Sequence, residues 1–324
     1  MQVFILGATG SIGGALLPLL RQEYPSADIT ALVRKDSDAP VLAKFGVKSV
    51  KGSAEKLELV TELSSKADLI INTADADIFD AVKAILDGAK RRYEATGKKS
   101  IFINISGVAV TISTPEGVFR ETSQVYDDRD SALTKGLPDS APHRNVENLV
   151  TEADVAGYVA VYTLSPATVY GASKKSSITR QTLLAKVLLA TVKQSKKVHI
   201  VGEGSNLLNF VHVDDVASGY LTVIKHAFSG NDTESGYGRY YWVGGEQVPW
   251  IKVAKAYAKE FHAKGIADSD EPVQATPAED PMMGFFGCNV RVVPGRLQDL
   301  GWSPVGSSIF DNVENDIRMA LEAQ

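Results

Sequence analysis

Three glycines near the start of the chain, Gly7, Gly10 and Gly13, follow the apolar run VFIL directly and lead into an amphipathic stretch, where a strand turns into a helix. At that position the spacing has a physical use. Gly7 permits the tight turn, Gly10 lets the backbone approach a pyrophosphate, and Gly13 lets the helix pack closely on the strand. The free N–H groups of the helix start, over Thr9, Gly10, Ser11 and Ile12, then face the phosphates of a dinucleotide. The end of the second strand chooses between nicotinamide nucleotides, because an acid there accepts from a ribose 2′-OH whereas an arginine pairs with a 2′-phosphate. Arg34 and Lys35 stand at that point, which predicts NADP(H) as the preferred cofactor with NAD(H) still able to bind. Asp36 follows them and opposes the preference if it turns inward. Ser53 comes after the third strand, where an acid often meets the adenine ring, and Ala74 after the fourth completes the expected cofactor contacts.

The elements that must carry these residues are visible in the hydropathy pattern. Between residues 2 and 105, short β-branched runs (VFIL, ITALV, VKSV, DLIIN, SIFINI) alternate with helical stretches at 11–23, 37–45, 55–63 and 78–96. Runs apolar on both faces and separated by helices imply a parallel sheet covered on both sides, an α/β doubly wound fold of the Rossmann type. A polar stretch at 111–141 interrupts the alternation before a helix from Pro142 to about residue 154 and a sixth strand, YVAVYTLS. Beyond Gly171 come a helix beginning near Arg180, the strand VHIV, the loop GEGSNLLNFVHVDD and a helix at 216–228. A strand near 240–243, a helix at 248–261, a Pro- and acid-rich loop at 268–281 and two closing helices follow. The expected division is a dinucleotide-binding domain at 1–171 and, at 172–324, a smaller substrate lobe with some elements returning to the sheet.

With 324 residues, 44% hydrophobic and 23% charged, the chain is of ordinary globular composition and long enough to need no staple for its core. Its single cysteine, Cys288, excludes an internal disulfide, and its five histidines lie too far apart for a local metal-ligand pair, so no metal is expected. A net charge of −5 is opposite to the footprint that phosphate backbones select, which argues against nucleic acid. No apolar stretch reaches the roughly 20 residues that span a bilayer, and the N-terminus lacks the pattern of an export signal. A cytoplasmic protein without membrane contact is the expectation.

The glycine loop, together with Ser165-Pro166-Ala167-Thr168-Val169-Tyr170-Gly171, Asn209-Phe210-Val211-His212-Val213-Asp214-Asp215-Val216-Ala217 and Arg296-Leu297-Gln298-Asp299-Leu300-Gly301-Trp302, resembles the extended short-chain dehydrogenases/reductases of the NAD-dependent epimerase/dehydratase group. The resemblance runs nearly end to end. It implies that the loop from Pro166 through Thr168 to Gly171 closes over the nicotinamide carboxamide, and that a serine at the end of the fifth strand, here Ser106, binds the reacting oxygen. Ser106 is followed by Gly107, so one of the family's two usual hydroxyls is absent. Such enzymes use a Tyr-x-x-x-Lys pair on the helix after the fifth strand, the tyrosine serving as general acid/base. Here the helix begins His143-Arg144-Asn145-Val146-Glu147, which resembles an atypical, epimerase-like subgroup.

His143 can take the proton role, since an unperturbed imidazole titrates near pH 6.5. Glu147, one helical turn on, could orient it, or the two could be a surface pair. A literal Tyr170-x-x-x-Lys174 also occurs, but Tyr170 follows a strand and is expected to be a decoy. His212 with Asp214 and Asp215 is expected to be structural, an aspartate capping the helix start. The stripe Ile78, Phe79, Val82, Ile85, Leu86, Ala89 and Tyr93 could form a homodimer face or pack on the sheet. Met282, Met283, Phe285 and Phe286 could line an apolar pocket or belong to the core. The expected function is an NADP(H)-dependent oxidoreductase acting on a carbonyl or alcohol of a small organic molecule. The alternative is a non-catalytic NADP(H)-binding redox sensor or regulatory protein.

Overall fold

The structure is a computed structural model that describes residues 1–178 and 181–323. Its centre is a seven-stranded, wholly parallel sheet built from β1 (Gln2–Leu6), β2 (Asp28–Val33), β3 (Val47–Lys51), β4 (Leu69–Asn72), β5 (Ser100–Ile105), β6 (Val159–Pro166) and β7 (Tyr240–Val243). The strand order is β7-β6-β5-β4-β1-β2-β3, so the winding reverses between β1 and β4. The last strand comes from the second half of the chain and pairs with β6.

Helices cover both faces, and the alternation of side chains along each strand decides which residue meets which helix. Phe4, Ile70, Phe102 and Val161 share one cluster with Val60 of α2 (Leu57–Ser65), Val82 and Ile85 of α3 (Phe79–Thr96), and Val146 and Val150 of α4 (Arg144–Val155). Their neighbours Val3, Ile5, Ile71 and Ile103 point the other way. These join Leu16, Leu17 and Leu20 of α1 (Ser11–Glu23) and Val216, Tyr220 and Val223 of a later helix at Val213–Phe228. Fully burying an aliphatic or aromatic side chain is worth about 1.5–3 kcal/mol, so the two layers hold the sheet's strand ends in place. Val82, Ile85, Leu86 and Ala89 of the apolar stripe are thus taken up by the sheet, leaving Phe79 and Tyr93 exposed.

The second half departs from the expected pattern at several points. The stretch expected as a loop contains a strand, Leu207–His212, which lies between Glu246–Pro249 and Thr168–Tyr170 in a three-stranded sheet. Its turn-rich approach, GEGSN, hid an apolar run only six residues long. The following helix therefore begins at Val213, not at residue 216. The helix expected from residue 248 begins at Trp250 because Val248 belongs to the strand before it. The stretch 37–45 resolves into a 3-10 turn and a short helix, Ala39–Ala43. The helix expected near Arg180 runs from Leu183 to Ser195, and Arg180 itself lies outside the described residues. Met283 and Phe286 are core residues, with Phe286 stacked on Trp250 at 4.2 Å between centroids, so the apolar cluster packs the interior. The polar stretch after residue 111 is stitched to the C-terminal part where Tyr126–Asp127 pairs with Val292–Val293. Among the described residues, no helix is long and apolar enough to cross a membrane.

Candidate active site

Because every strand of the sheet runs the same way, the residues that follow the strands collect along one edge, and the reversal between β1 and β4 opens a crevice there. The glycine loop lies at that crevice. Gly7 has φ +92°, and a Cβ there would stand 2.5 Å from the backbone nitrogen of Ala74. A Cβ on Gly13 would stand 2.2 Å from the carbonyl oxygen of Gly7. The turn is closed by Gly10 N–H donating to Gly7 O at 2.9 Å. Helix α1 starts at Ser11 with no side-chain cap and no acidic residue in its first turn, so its leading N–H groups are available to an anion. Thr9, Gly10 and Ser11 are half-buried, whereas the Ile12 side chain is in the core and offers only its backbone. Across the crevice Pro166 is buried at the end of β6, and the hydroxyl of Thr168 is buried without a partner. A glycine cradle, an uncapped helix start and an orphaned hydroxyl along one edge fit a dinucleotide.

At the end of β2, Arg34 and Lys35 are exposed, and no described side chain pairs with either. Asp36 turns away to an ion pair with Lys51 at 2.5 Å. Ser53 sits beside this strand end, since Gly52 N–H donates to Val33 O at 2.9 Å.

Two side-chain groups meet at the end of β5. On the inner side, the Ser106 hydroxyl donates to Glu147 Oε1 at 2.6 Å, the Tyr240 hydroxyl donates to the same oxygen at 2.8 Å, and Arg144 Nη1 donates to Oε2 at 2.8 Å. All four residues are buried. Burial and the neighbouring carboxylate push the Tyr240 phenol well above its ordinary range, so it stays a donor. On the outer side, His143 Nδ1 lies 2.7 Å from Asp77 Oδ1, and Nε2 lies 3.4 Å from where a Cβ on Gly107 would be. Glu147 therefore does not orient His143. The reason is backbone conformation: His143 is the residue before α4 and has φ +68°, so helical i, i+4 spacing does not apply to it. Asp77, Arg144 and Tyr240 were not found from the sequence. Asp77 belongs to no motif, and Tyr240 reaches the site only through a strand that returns to the sheet.

Tyr170 is buried and donates to Ser307 O at 2.7 Å, with its ring edge-on to His212 at 5.5 Å; Lys174 is exposed. His212 itself caps the following helix, its Nδ1 accepting from Asp214 N–H at 3.2 Å, so the capping side chain is the histidine and not an aspartate. Asp215 instead accepts from the N–H groups of Val305 and Gly306, both at 2.9 Å. Among the described residues, no group of three or more His, Cys, Asp or Glu side chains could hold a metal ion.

Residues 3–236 match the model of the NAD dependent epimerase/dehydratase family. The chain belongs to this family. An oxidase named UcsJ from an Acremonium species is 29% identical over 99% of this chain and 98% of its own length. In fold the chain is similar to the dTDP-glucose 4,6-dehydratase DesIV of Streptomyces venezuelae, solved with NAD and TYD bound, at a TM-score of 0.67, 17% identity and coverage of 99% and 97% of the two chains. It is equally similar to a UDP-glucose 4-epimerase of Bifidobacterium longum in complex with NAD+ and UDP, at 0.66, 16%, 99% and 98%. These family members share the seven-stranded sheet and its cofactor edge, and a nicotinamide nucleotide is the cofactor the family is named for.

Proposed function

We propose that this family member is an NADP(H)-dependent oxidoreductase acting on an alcohol or carbonyl of a small organic molecule. The carrying observation is the loop after β4. Its Ala74 touches Gly7 of the glycine loop, and three residues later Asp77 holds the His143 imidazole, so a cofactor cradle and an oriented imidazole share one short segment. The kinship to a protein named an oxidase supports the same class of chemistry.

In this reading Gly7, Thr9, Gly10, Ser11, Ile12, Gly13 and Ala74 hold the pyrophosphate region and Arg34 and Lys35 the 2′-phosphate. Ser53 lies toward the adenine, and Pro166 and Thr168 toward the nicotinamide. When bound, the nucleotide accepts or supplies a hydride. Ser106 stands where the reacting oxygen binds, His143 Nε2 moves the proton, and Glu147 fixes Ser106. The 2.7 Å contact to Asp77 keeps the ring from turning and directs Nε2 toward Gly107. A positioned general acid/base of this kind contributes about 10²–10⁴-fold to a rate.

Steady-state assays with NADPH against a panel of aldehydes and ketones, and with NADP+ against the matching alcohols, test the reading. Turnover should fall by about 10²-fold or more in His143→Ala while NADPH affinity is kept. Cofactor binding without turnover on any member of the panel would turn the reading to a regulatory NADP(H)-binding protein. Unchanged turnover in His143→Ala would remove the proton role from that residue.

A further inference from the structure

We infer that Asp77 and Glu147 fix the hydrogen-bond polarity of this site so that its substrate enters as an alcohol, to be oxidised by NADP+. The inference rests on the oxidoreductase reading and adds to it a direction and a substrate class.

The argument is one of hydrogen inventory. A serine hydroxyl carries one hydrogen, and that of Ser106 is committed to Glu147 Oε1 at 2.6 Å. It cannot turn elsewhere cheaply, because the carboxylate is paired with Arg144 and accepts from Tyr240 as well, in a pocket where all four residues are buried. Toward the substrate Ser106 therefore offers lone pairs only. The neutral His143 ring also carries one hydrogen. An ionised carboxylate only accepts, so Asp77 at 2.7 Å draws that hydrogen to Nδ1 and leaves Nε2 as an acceptor beside Gly107, the residue next to Ser106. Asp77 is the charged group within ion-pair reach of the ring. On its own helix Arg144 and Glu147 pair with each other on the inner side, and the end of β5 presents an uncharged glycine.

While the imidazole is neutral, neither group has a hydrogen for a carbonyl oxygen. An alcohol fits the pair instead. Its O–H donates to Nε2, and Ser106 takes a second hydrogen from a neighbouring hydroxyl of the substrate or from water. In the reaction the carbinol C–H bond breaks with its electron pair passing to NADP+ as hydride. The O–H proton passes to Nε2 and the C=O bond forms, yielding NADPH, the carbonyl product and a protonated ring that returns its proton to solvent. Asp77 and Glu147 touch no reacting atom and act as positioning residues.

The test uses the full chain with uniform ¹⁵N labelling and NADP+ added. Long-range ¹H–¹⁵N spectra report which ring nitrogen of each histidine carries the proton, and His143→Gln identifies the relevant signals. The expected result is a neutral His143 with the proton on Nδ1, moving toward Nε2 in Asp77→Asn. A neutral ring protonated on Nε2 in the parent, or a tautomer untouched by Asp77→Asn, overturns the inference.

A second readout follows dimethyl sulfoxide, which only accepts hydrogen bonds, binding to the NADPH complex by cofactor fluorescence. In the parent its affinity should fall about tenfold or more as pH rises through the His143 titration seen in the same spectra. In Glu147→Gln the fixed Arg144 donor keeps the amide oxygen and the amide N–H₂ faces the rotatable hydroxyls. Ser106 can then donate outward, and the affinity should persist at high pH. Sulfoxide binding in the parent that ignores pH, or is absent on both sides of the titration, overturns the inference. A confirmed tautomer and sulfoxide profile in a protein that turns over nothing would refute the oxidoreductase reading alone.

Discussion

Arg34 is the residue on which cofactor choice should turn. It ends β2 exposed, no described side chain pairs with it, and the acid that could have cancelled it, Asp36, is held by Lys51 at 2.5 Å. A guanidinium in this state loses no partner when it meets a phosphate, so the full charge-assisted contact, about 1.5–3 kcal/mol, counts toward NADP(H). Exposure to water places the figure in the lower part of that range, about 1.5–2 kcal/mol, or roughly 10- to 30-fold in affinity. Titrating NADPH and NADH against the parent by calorimetry or cofactor fluorescence measures the ratio, and Arg34→Ala should bring it close to one while leaving NADH affinity nearly unchanged. The preference should shrink at high ionic strength, because the contact lies within reach of screening ions. Asp36→Ala should change the ratio less than about twofold, since its charge is already engaged. Equal affinities in the parent, or an NADPH preference that survives Arg34→Ala, would refute the assignment of this side chain.

Gly13→Ala places a Cβ 2.2 Å from the Gly7 carbonyl oxygen, so the loop must shift; NADPH affinity should drop at least about tenfold and stability by about 1–3 kcal/mol, read by titration and thermal melting. Burial pushes the Asp316 carboxyl up to about 6, against 3.8 unperturbed. The native state thus holds its proton more tightly, and the stability gained is present below pH 4 and lost as pH rises through 6. Asp316→Asn should therefore match the parent at pH 4 and exceed it by up to about 3 kcal/mol at pH 8; parallel melting profiles would contradict this. Tyr170→Phe should lose about 1 kcal/mol, the bond to Ser307 O, and keep its turnover, whereas a hundredfold fall in turnover would give Tyr170 and Lys174 a catalytic role. Because His143 sits at φ +68°, His143→Gly should be more stable than His143→Ala by about 1 kcal/mol, the reverse of the order inside a helix.

What the sequence disclosed and what it withheld follow one physical distinction. The glycine loop, the alternating strands and the covering helices are local: each depends on a residue's immediate neighbours and on a period of two or 3.6. The chain from Val3 to Ile105 could be read on that basis, and its parallel sheet with it. The candidate site is not local. Tyr240 arrives from 93 residues beyond Glu147, and Asp77 from 66 residues before His143, in a loop with no pattern of its own. The strand Leu207–His212 was missed for a related reason, since it is stabilised by Glu246–Pro249 and Thr168–Tyr170 and not by its own neighbours in the chain.

His143 shows how a correct residue can carry an incorrect partner. Helical spacing joined it to Glu147, but a left-handed residue before the first turn of α4 swings the ring out of the helical row. Such a conformation costs a non-glycine residue about 1–2 kcal/mol and persists only where the surroundings impose it. Here they do: Glu147 must point inward to satisfy Ser106, Tyr240 and Arg144, while the ring must point outward to Asp77. A regular helix cannot send i and i+4 to opposite sides. The strained residue is therefore what separates two acidic partners, one for Ser106 and one for His143, and lets a single helix start serve both sides of the strand end where the chemistry is proposed.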